Sequence, residues 1–131
     1  MGREADPALR IGVDLVDAQA LEARFAGREE ALGDVFSDDE LTYCRRQRRP
    51  WAHAAARLAA KEALLKALAT GLSGAMQWRD VEVVRDPAGA PDLRITGAIA
   101  DALASRGLRV ASVSLSHTTS HAIAVVLLAP A

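Results

Sequence analysis

The segment RLAAKEALLKAL at positions 57–68 constrains the fold of this chain more than any other stretch. Its residues are all strong helix formers, so twelve of them in succession predict a helix. At about 100° per residue, one apolar stripe of this helix contains Leu58, Leu65 and Ala69. Glu62 falls in the middle of that stripe. A carboxylate on a buried face needs a partner, because burying an unpaired charge is costly.

Length and composition predict one globular domain over residues 1–131. Half of the residues are apolar and a quarter are charged, which is the balance of a folded domain. The single cysteine, Cys44, cannot form an internal disulfide, favours a reducing compartment, and is more simply structural than catalytic. We find no signal-peptide pattern and no apolar run of about 18 residues. We therefore expect a cytoplasmic protein that does not span a membrane.

Charge is distributed unevenly along the chain. Residues 1–40 contain four basic and eleven acidic residues, whereas residues 41–66 contain seven basic residues against Glu62 alone. The basic set is Arg45, Arg46, Arg48, Arg49, Arg57, Lys61 and Lys66. Such a block is typical of an anionic partner, but a solvated helix face carries the same charges and is favoured on charge alone. Aromatic residues make up only 4% of the chain, which disfavours nucleic-acid binding.

The periodicity predicts an α+β fold, with an antiparallel sheet packed around one long central helix. The predicted strands are 10–16, 81–86, 92–96, 110–116 and 121–128, and the third pairs with the second as a hairpin across the turn at 87–91. A first helix, capped by Asp17, runs to about Ala26. A second starts at the capping-box spacing of Ser37 and Glu40 and stops before Pro50. The central helix covers 51–69, and a short one runs from Thr96 to Gly107.

Asp14 is a second carboxylate in apolar surroundings, because it lies in a strand that is otherwise apolar. Ion pairs with Lys61 or Lys66 would satisfy both carboxylates, a backbone cap would satisfy Asp14 alone, and a hard divalent cation such as Mg²⁺ would hold both. Spacing alone favours the ion pairs. The basic residues around Glu62 shift the balance towards a cation bound with a polyphosphate. Lys66 lies one turn after Glu62, and Arg57 and Lys61 lie on the other flank.

Three motifs in this order resemble one known family. They are IGVDLVD at 11–17, RLAAKEALLKAL at 57–68 and VSLSH at 113–117. The chain resembles the holo-acyl-carrier-protein synthases, the small trimeric class of 4′-phosphopantetheinyl transferases, from about Arg10 to Leu128. The resemblance implies the fold of that class, a homotrimer with active sites between subunits, and a Mg²⁺-dependent reaction. In it, the 4′-phosphopantetheine arm of coenzyme A passes to a carrier-protein serine and adenosine 3′,5′-bisphosphate is released.

The resemblance also implies roles for individual residues. Asp14 and Glu62 would be the metal ligands, and Lys66 would contact the pyrophosphate of coenzyme A. These three form the expected catalytic set, with Glu62 or a water that it positions as the general base. The expected coenzyme A contacts are Arg48, Arg49, Arg57, Lys66, Thr70, Gly71, Pro91, Ser116 and His117. Arg48 and the adjacent Arg49 match the family's basic position for the 3′-phosphate.

The first predicted helix departs from the family pattern. It reads DAQALEARF, with Arg24 as its only cation, where the family commonly has several basic residues that meet an acidic carrier protein. Either Arg24, Arg28 and the cluster at 45–49 take that role, or the carrier is less acidic than usual. The carrier can therefore be of the fatty-acid, polyketide or peptidyl type. The same departure is also consistent with an alternative function, namely a non-catalytic module that binds coenzyme A or a nucleotide on the same fold. A structural trimer with internal ion pairs is a further alternative.

Overall fold

The fold was analysed in a computed structural model, which describes residues 8–131. Four helices and five strands form the α+β architecture, which confirms the expected fold class. The elements are β1 (Arg10–Asp17), α1 (Ala18–Phe25), α2 (Asp38–Arg45), α3 (Pro50–Ala67), β2 (Val81–Arg85), β3 (Pro91–Ile95), α4 (Gly97–Ser105), β4 (Leu108–His117) and β5 (His121–Pro130). Two short 3₁₀ helices, Glu29–Asp34 and Trp78–Asp80, were not predicted.

The strands divide between two antiparallel sheets. The larger sheet has the order β1-β5-β4, so β1 and β4 are its edge strands. Asp14 pairs with Ala124 of β5, which pairs in turn with Leu115 of β4. The hairpin of β2 and β3 forms the second sheet, with Val83 opposite Leu93. The strands thus form two sheets where the sequence predicted one.

Helix α3 lies against the inner face of the larger sheet, and small residues make this contact close. The core includes Ala59, Ala60 and Ala63 of α3, all fully buried. Gly12 of β1 faces this helix, where an added Cβ would collide with the Ala63 carbonyl oxygen and lie 2.7 Å from the Ala67 backbone nitrogen. The absence of side-chain bulk at this contact lets β1 lie directly against the helix.

Both predicted helix caps are confirmed. Asp17 accepts hydrogen bonds from the backbone N–H groups of Gln19 and Ala20, at 2.9 and 3.1 Å. The Ser37 hydroxyl accepts from the Glu40 backbone N–H, and the Glu40 side chain accepts in return from the Ser37 N–H. These bonds satisfy N–H groups that a helix start otherwise leaves without partners. Between 8 and 131, no helix combines the length and apolarity needed to cross a membrane.

Lys61 corrects one expectation, because it does not flank the ligand site. Its side chain is completely buried and forms an ion pair of 2.9 Å with Glu40, which is also buried. The ammonium group donates further to the carbonyl oxygens of Trp78 and Val81, while Glu40 accepts from the Val83 N–H at 3.0 Å. Burial lowers the pKa of Lys61, and Glu40 opposes that shift. The pair joins α2, α3 and β2 inside the protein.

Candidate functional site

Asp14 and Glu62 converge where β1 crosses α3. Alternation along β1 turns Gly12 and Asp14 inwards while Val13 and Leu15 face outwards. The Asp14 carboxylate is 9% exposed, and its Oδ1 accepts a hydrogen bond of 2.6 Å from the Lys66 ammonium group. Its other oxygen, Oδ2, is buried without a hydrogen-bond partner. The sequence-predicted trio of Asp14, Glu62 and Lys66 therefore lies in one cluster, which we call the acidic half-site.

The acidic half-site changes the protonation of its own members. Burial, and then the neighbouring Asp14 carboxylate, raise the pKa of Glu62 to about 7, while Lys66 and Arg24 act in the opposite direction. The hydrogen bond and charge of Asp14 raise the pKa of Lys66. A carboxyl group with a raised pKa beside a buried carboxylate oxygen without a hydrogen-bond partner forms a site that a cation would stabilise.

The donors of the acidic half-site fit Mg²⁺ better than a transition metal. Mg²⁺ takes oxygen ligands and is commonly held by one or two carboxylates together with substrate phosphates. Within residues 8–131 there is no group of three or more His, Cys, Asp or Glu side chains that could hold a metal. At a site of two carboxylates, water or phosphate oxygens would therefore complete the coordination.

A second cluster of predicted residues lines a cleft between α3, β4 and the β2–β3 hairpin. Arg57, Pro91 and His117, predicted from the family resemblance, meet here together with His53 and Arg85. The imidazole rings of His53 and His117 are 4.8 Å apart between centroids. Desolvation lowers the pKa of His53, and the neighbouring His117, Arg57 and Arg85 add to this effect. We call this cluster the basic half-site.

The two half-sites lie on opposite sides of one chain. Asp14 belongs to β1 and His117 to β4, the two edges of the larger sheet. On α3, Arg57 and Glu62 are five positions apart, so their side chains leave the helix axis about 140° apart. No residue that lines the basic half-site belongs to the acidic half-site.

Other predicted contacts lie outside both clusters. Thr70 and Gly71 follow α3 in the loop just beyond Lys66. Ser116 has an exposed position on β4, and its register partner is Ile123 on the outer face of the sheet. Since Leu115 and His117 line the cleft, strand alternation directs Ser116 away from it. Arg48 and Arg49 are exposed before α3, and Arg49 borders a separate groove beside α1.

Sequence reasoning missed three residues in and beside the basic half-site. His53 had a signal, because it precedes Arg57 by four positions and so shares its helix face. Arg85 and Tyr43 had none, since the packing of β2 and α2 on α3 brings Arg85 to the cleft and Tyr43 against Arg57 and Arg85. Cys44, by contrast, is buried as expected of a structural cysteine, and desolvation raises its pKa.

Comparison with known proteins finds relatives of the same kind by sequence and by structure. The sequence profile of the 4′-phosphopantetheinyl transferase superfamily matches residues 10–126. The holo-[acyl-carrier-protein] synthase of Geotalea daltonii is 40% identical over 119 residues, covering 89% of this chain and 94% of that protein. The holo-[acyl-carrier-protein] synthase of Syntrophus aciditrophicus is 42% identical over 118 residues, covering 89% and 92%.

Two solved structures extend the comparison to three dimensions. The Chronobacterium ammoniagenes ACPS–CoA complex superposes with a TM-score of 0.82 at 27% identity, covering 95% of this chain and 98% of that one. The holo-[acyl-carrier-protein] synthase of Neisseria meningitidis gives a TM-score of 0.77 at 32% identity, covering 91% and 96%.

Proposed function

The chain belongs to the holo-acyl-carrier-protein synthases of the 4′-phosphopantetheinyl transferase superfamily, and on that premise we propose its reaction. It transfers the 4′-phosphopantetheine arm of coenzyme A to a serine of an acyl carrier protein and releases adenosine 3′,5′-bisphosphate. The observation that carries this assignment is the convergence of Asp14 and Glu62, with a buried Asp14 oxygen left without a partner.

Asp14 and Glu62 would hold Mg²⁺, and the bound ion would withdraw charge from the pyrophosphate of coenzyme A. The unpartnered Asp14 oxygen and the raised pKa of Glu62 both support this assignment. Lys66 already donates to Asp14 and is 58% exposed, so it can reach phosphate oxygens beside the carboxylates. In this site its ammonium group would orient the pyrophosphate and stabilise negative charge on the oxygens of the transferred phosphoryl group.

The chemical step is an in-line phosphoryl transfer. The serine hydroxyl oxygen forms a bond to the phosphorus that carries the pantetheine arm, and the bond from that phosphorus to the bridging oxygen breaks. The leaving group is adenosine 3′,5′-bisphosphate. Glu62, or a water that it positions, would accept the serine proton.

The basic half-site would bind the nucleotide portion of coenzyme A. Arg57 and His117 would contact phosphate, and Pro91 would border the ligand. We assign Thr70 and Gly71 to the pyrophosphate side because they follow Lys66 directly. Arg48 and Arg49 keep their assignment to the 3′-phosphate only if the ligand extends beyond the cleft, because both lie outside its lining.

A homotrimer would bring unlike half-sites together. One chain presents its acidic half-site at the β1 edge and its basic half-site at the β4 edge, so a head-to-tail ring would place one beside the other. The outer face of the larger sheet also supports assembly, because it exposes large apolar side chains. These are Ile11, Val13, Leu15 and Ile123, with exposed fractions between 39% and 68%. A contiguous apolar surface of this kind is typical of an interface.

The acceptor type follows from the surface near the acidic half-site. Helix α1 exposes Gln19, Glu22, Ala23 and Arg24, so it presents one cation where the family commonly presents several. We therefore propose a carrier protein or carrier domain of lower negative charge than a typical fatty-acid carrier. We place the reaction in the cytoplasm, where the buried thiol of Cys44 stays reduced.

A panel of purified apo-carriers of the fatty-acid, polyketide and peptidyl types tests the function. Each is incubated with coenzyme A and Mg²⁺, and transfer is measured as the mass of one phosphopantetheine arm on the carrier. The expected result is complete modification of at least one carrier and none with the Glu62→Gln variant. Coenzyme A binding without modification of any carrier would replace the enzyme by the non-catalytic binding module.

A further inference from the structure

Two arginines of the basic half-site stack on one tyrosine, Tyr43, which lies in the neighbouring groove that both arginines also border. The Cζ atoms of Arg57 and Arg85 lie 4.1 and 4.6 Å from the centroid of the Tyr43 ring. Arg85 also donates to the Tyr43 hydroxyl and, at 2.8 Å, to the Gly89 carbonyl oxygen. A guanidinium group within about 6 Å of an aromatic face is held there by the electrons of the ring. Tyr43 therefore fixes both arginines at once.

The cleft beside this stack has an excess of positive charge. Its described lining contains the guanidinium groups of Arg57 and Arg85, the imidazole rings of His53 and His117, and no carboxylate. Acidic groups do lie behind the stack, where Asp39 and Glu82 border a neighbouring groove. Glu82 is already bound by Arg94 at 3.0 Å and by the Ser37 hydroxyl at 2.6 Å, so it does not balance the cleft.

Arg57 is the member of the cluster that indicates a ligand most directly. Its side chain is 96% buried, because only 4% of the residue is exposed, and its Nε has no hydrogen-bond partner. One of its terminal nitrogens donates to the His53 carbonyl oxygen at 3.3 Å. A buried donor without a partner is uncommon in proteins and calls for an acceptor. In a cleft without carboxylates, a phosphate group would supply that acceptor.

We propose that Arg85 is a phosphate-binding residue and that Tyr43 is a positioning residue that holds Arg57 and Arg85 ready for the ligand. This inference rests on the proposed function and extends its nucleotide site by two residues that the family motifs do not supply. The ligand group is a phosphate of the nucleotide portion of coenzyme A. Arginine side chains lose much rotamer freedom on binding, and a ring that orders them beforehand reduces that cost.

Calorimetry with adenosine 3′,5′-bisphosphate tests the proposal without needing catalysis. Arg85→Gln and Tyr43→Leu are expected to weaken binding at least about tenfold, as for loss of a hydrogen bond to a charged group. Tyr43→Phe keeps the ring and should retain most of the affinity. Arg79→Gln removes an exposed arginine that does not line the cleft and should bind like the unaltered protein. In the transfer assay, the loss should raise KM for coenzyme A and leave KM for the carrier unchanged.

Each other outcome has a defined meaning. Equal affinity of Tyr43→Leu and the unaltered protein would overturn the positioning role. An equal loss in Tyr43→Phe would overturn positioning by the ring, because that variant removes only the hydroxyl that accepts from Arg85. Equal losses in Arg79→Gln and Arg85→Gln would reduce the effect to net charge and overturn the role of Arg85. If Tyr43→Leu does not fold, as judged by its melting temperature, the exposed Arg85 decides the result. Failure of the unaltered protein to bind coenzyme A would instead refute the proposed function itself.

Discussion

At the scale of the residue, the chemistry depends on a carboxyl group held partly out of water. The pKa of Glu62 is about 7 because of burial first and of Asp14 second. Folding therefore favours the protonated form of Glu62, whereas cation binding and proton acceptance both need the carboxylate. Cation binding must therefore displace a proton from Glu62.

The stability of the ligand-free protein should therefore depend on pH through Glu62. A pKa raised from 4.5 gives a stabilising contribution that is complete below about pH 4.5 and lost as the pH rises through about 7. Glu62→Gln should reduce the fall in melting temperature between pH 6 and pH 8. The same variant should abolish the increase in melting temperature that Mg²⁺ gives the unaltered protein. Glu22→Gln, at an exposed position on α1, serves as the control, and identical pH slopes for both variants would contradict the prediction.

Polarity in apolar surroundings was the signal that predicted Asp14 and Glu62. The clustering of basic residues around Glu62 gave the wrong role to Lys61, because two consecutive residues of a helix differ by about 100° and only one can face a given partner. The partner of Lys61 is Glu40, which is 21 residues away and belongs to another helix. Sequence spacing within one helix cannot reveal such a pair.

At the scale of the element, the acidic half-site depends on how closely β1 approaches α3. Gly12 lies two residues before Asp14 on the same strand face, and Ala63 directly follows Glu62. The close contact of Gly12 with the Ala63 carbonyl group therefore holds the strand that carries Asp14 against the helix that carries Glu62. A methyl group at position 12 would force the strand away from the helix backbone.

Gly12→Ala should lower the free energy of unfolding by about 1–3 kcal/mol, the usual cost of overpacking a core. It should also weaken the Mg²⁺-induced rise in melting temperature, since the two ligands would be further apart. Gly33→Ala is the matched control, because an added Cβ there meets no atom within 4 Å. A Gly12→Ala protein that is less stable but keeps the full response to Mg²⁺ would show that the contact supports the fold alone.

The order and type of the long elements followed from the sequence because caps and periodicity are local signals. Asp17 and the Ser37–Glu40 box marked two helix starts within a residue. The division into two sheets was not predictable in this way, since the hairpin alternates like the other strands. Which sheet a strand joins depends on what packs against it, and here the Lys61–Glu40 pair ties β2 to α2 and α3.

At the scale of the whole molecule, the catalytic centre that we propose to be shared between subunits makes a prediction that a centre within one chain cannot meet. Glu62→Gln disables the acidic half-site and Arg57→Gln the basic half-site, so each protein alone should be inactive. Trimers assembled from an equal mixture by co-expression should regain about a quarter of the full activity, because that share of random neighbour pairs joins two intact halves. Mixing Glu62→Gln with Asp14→Asn, which disables the same half twice, should regain nothing. Inactivity of the first mixture would place the whole site within one chain.

The separation of the two half-sites on opposite edges of the larger sheet also bears on the time before assembly. A chain newly released from the ribosome would contain both the acidic and the basic half-site but no complete active site. Under the proposed shared site, it could not transfer the phosphopantetheine arm to a carrier before it assembled with other copies of the chain. Specific activity should consequently fall on dilution and return with a lag after rapid reconcentration. In the cell, the enzyme would become active only above the concentration at which the chains assemble.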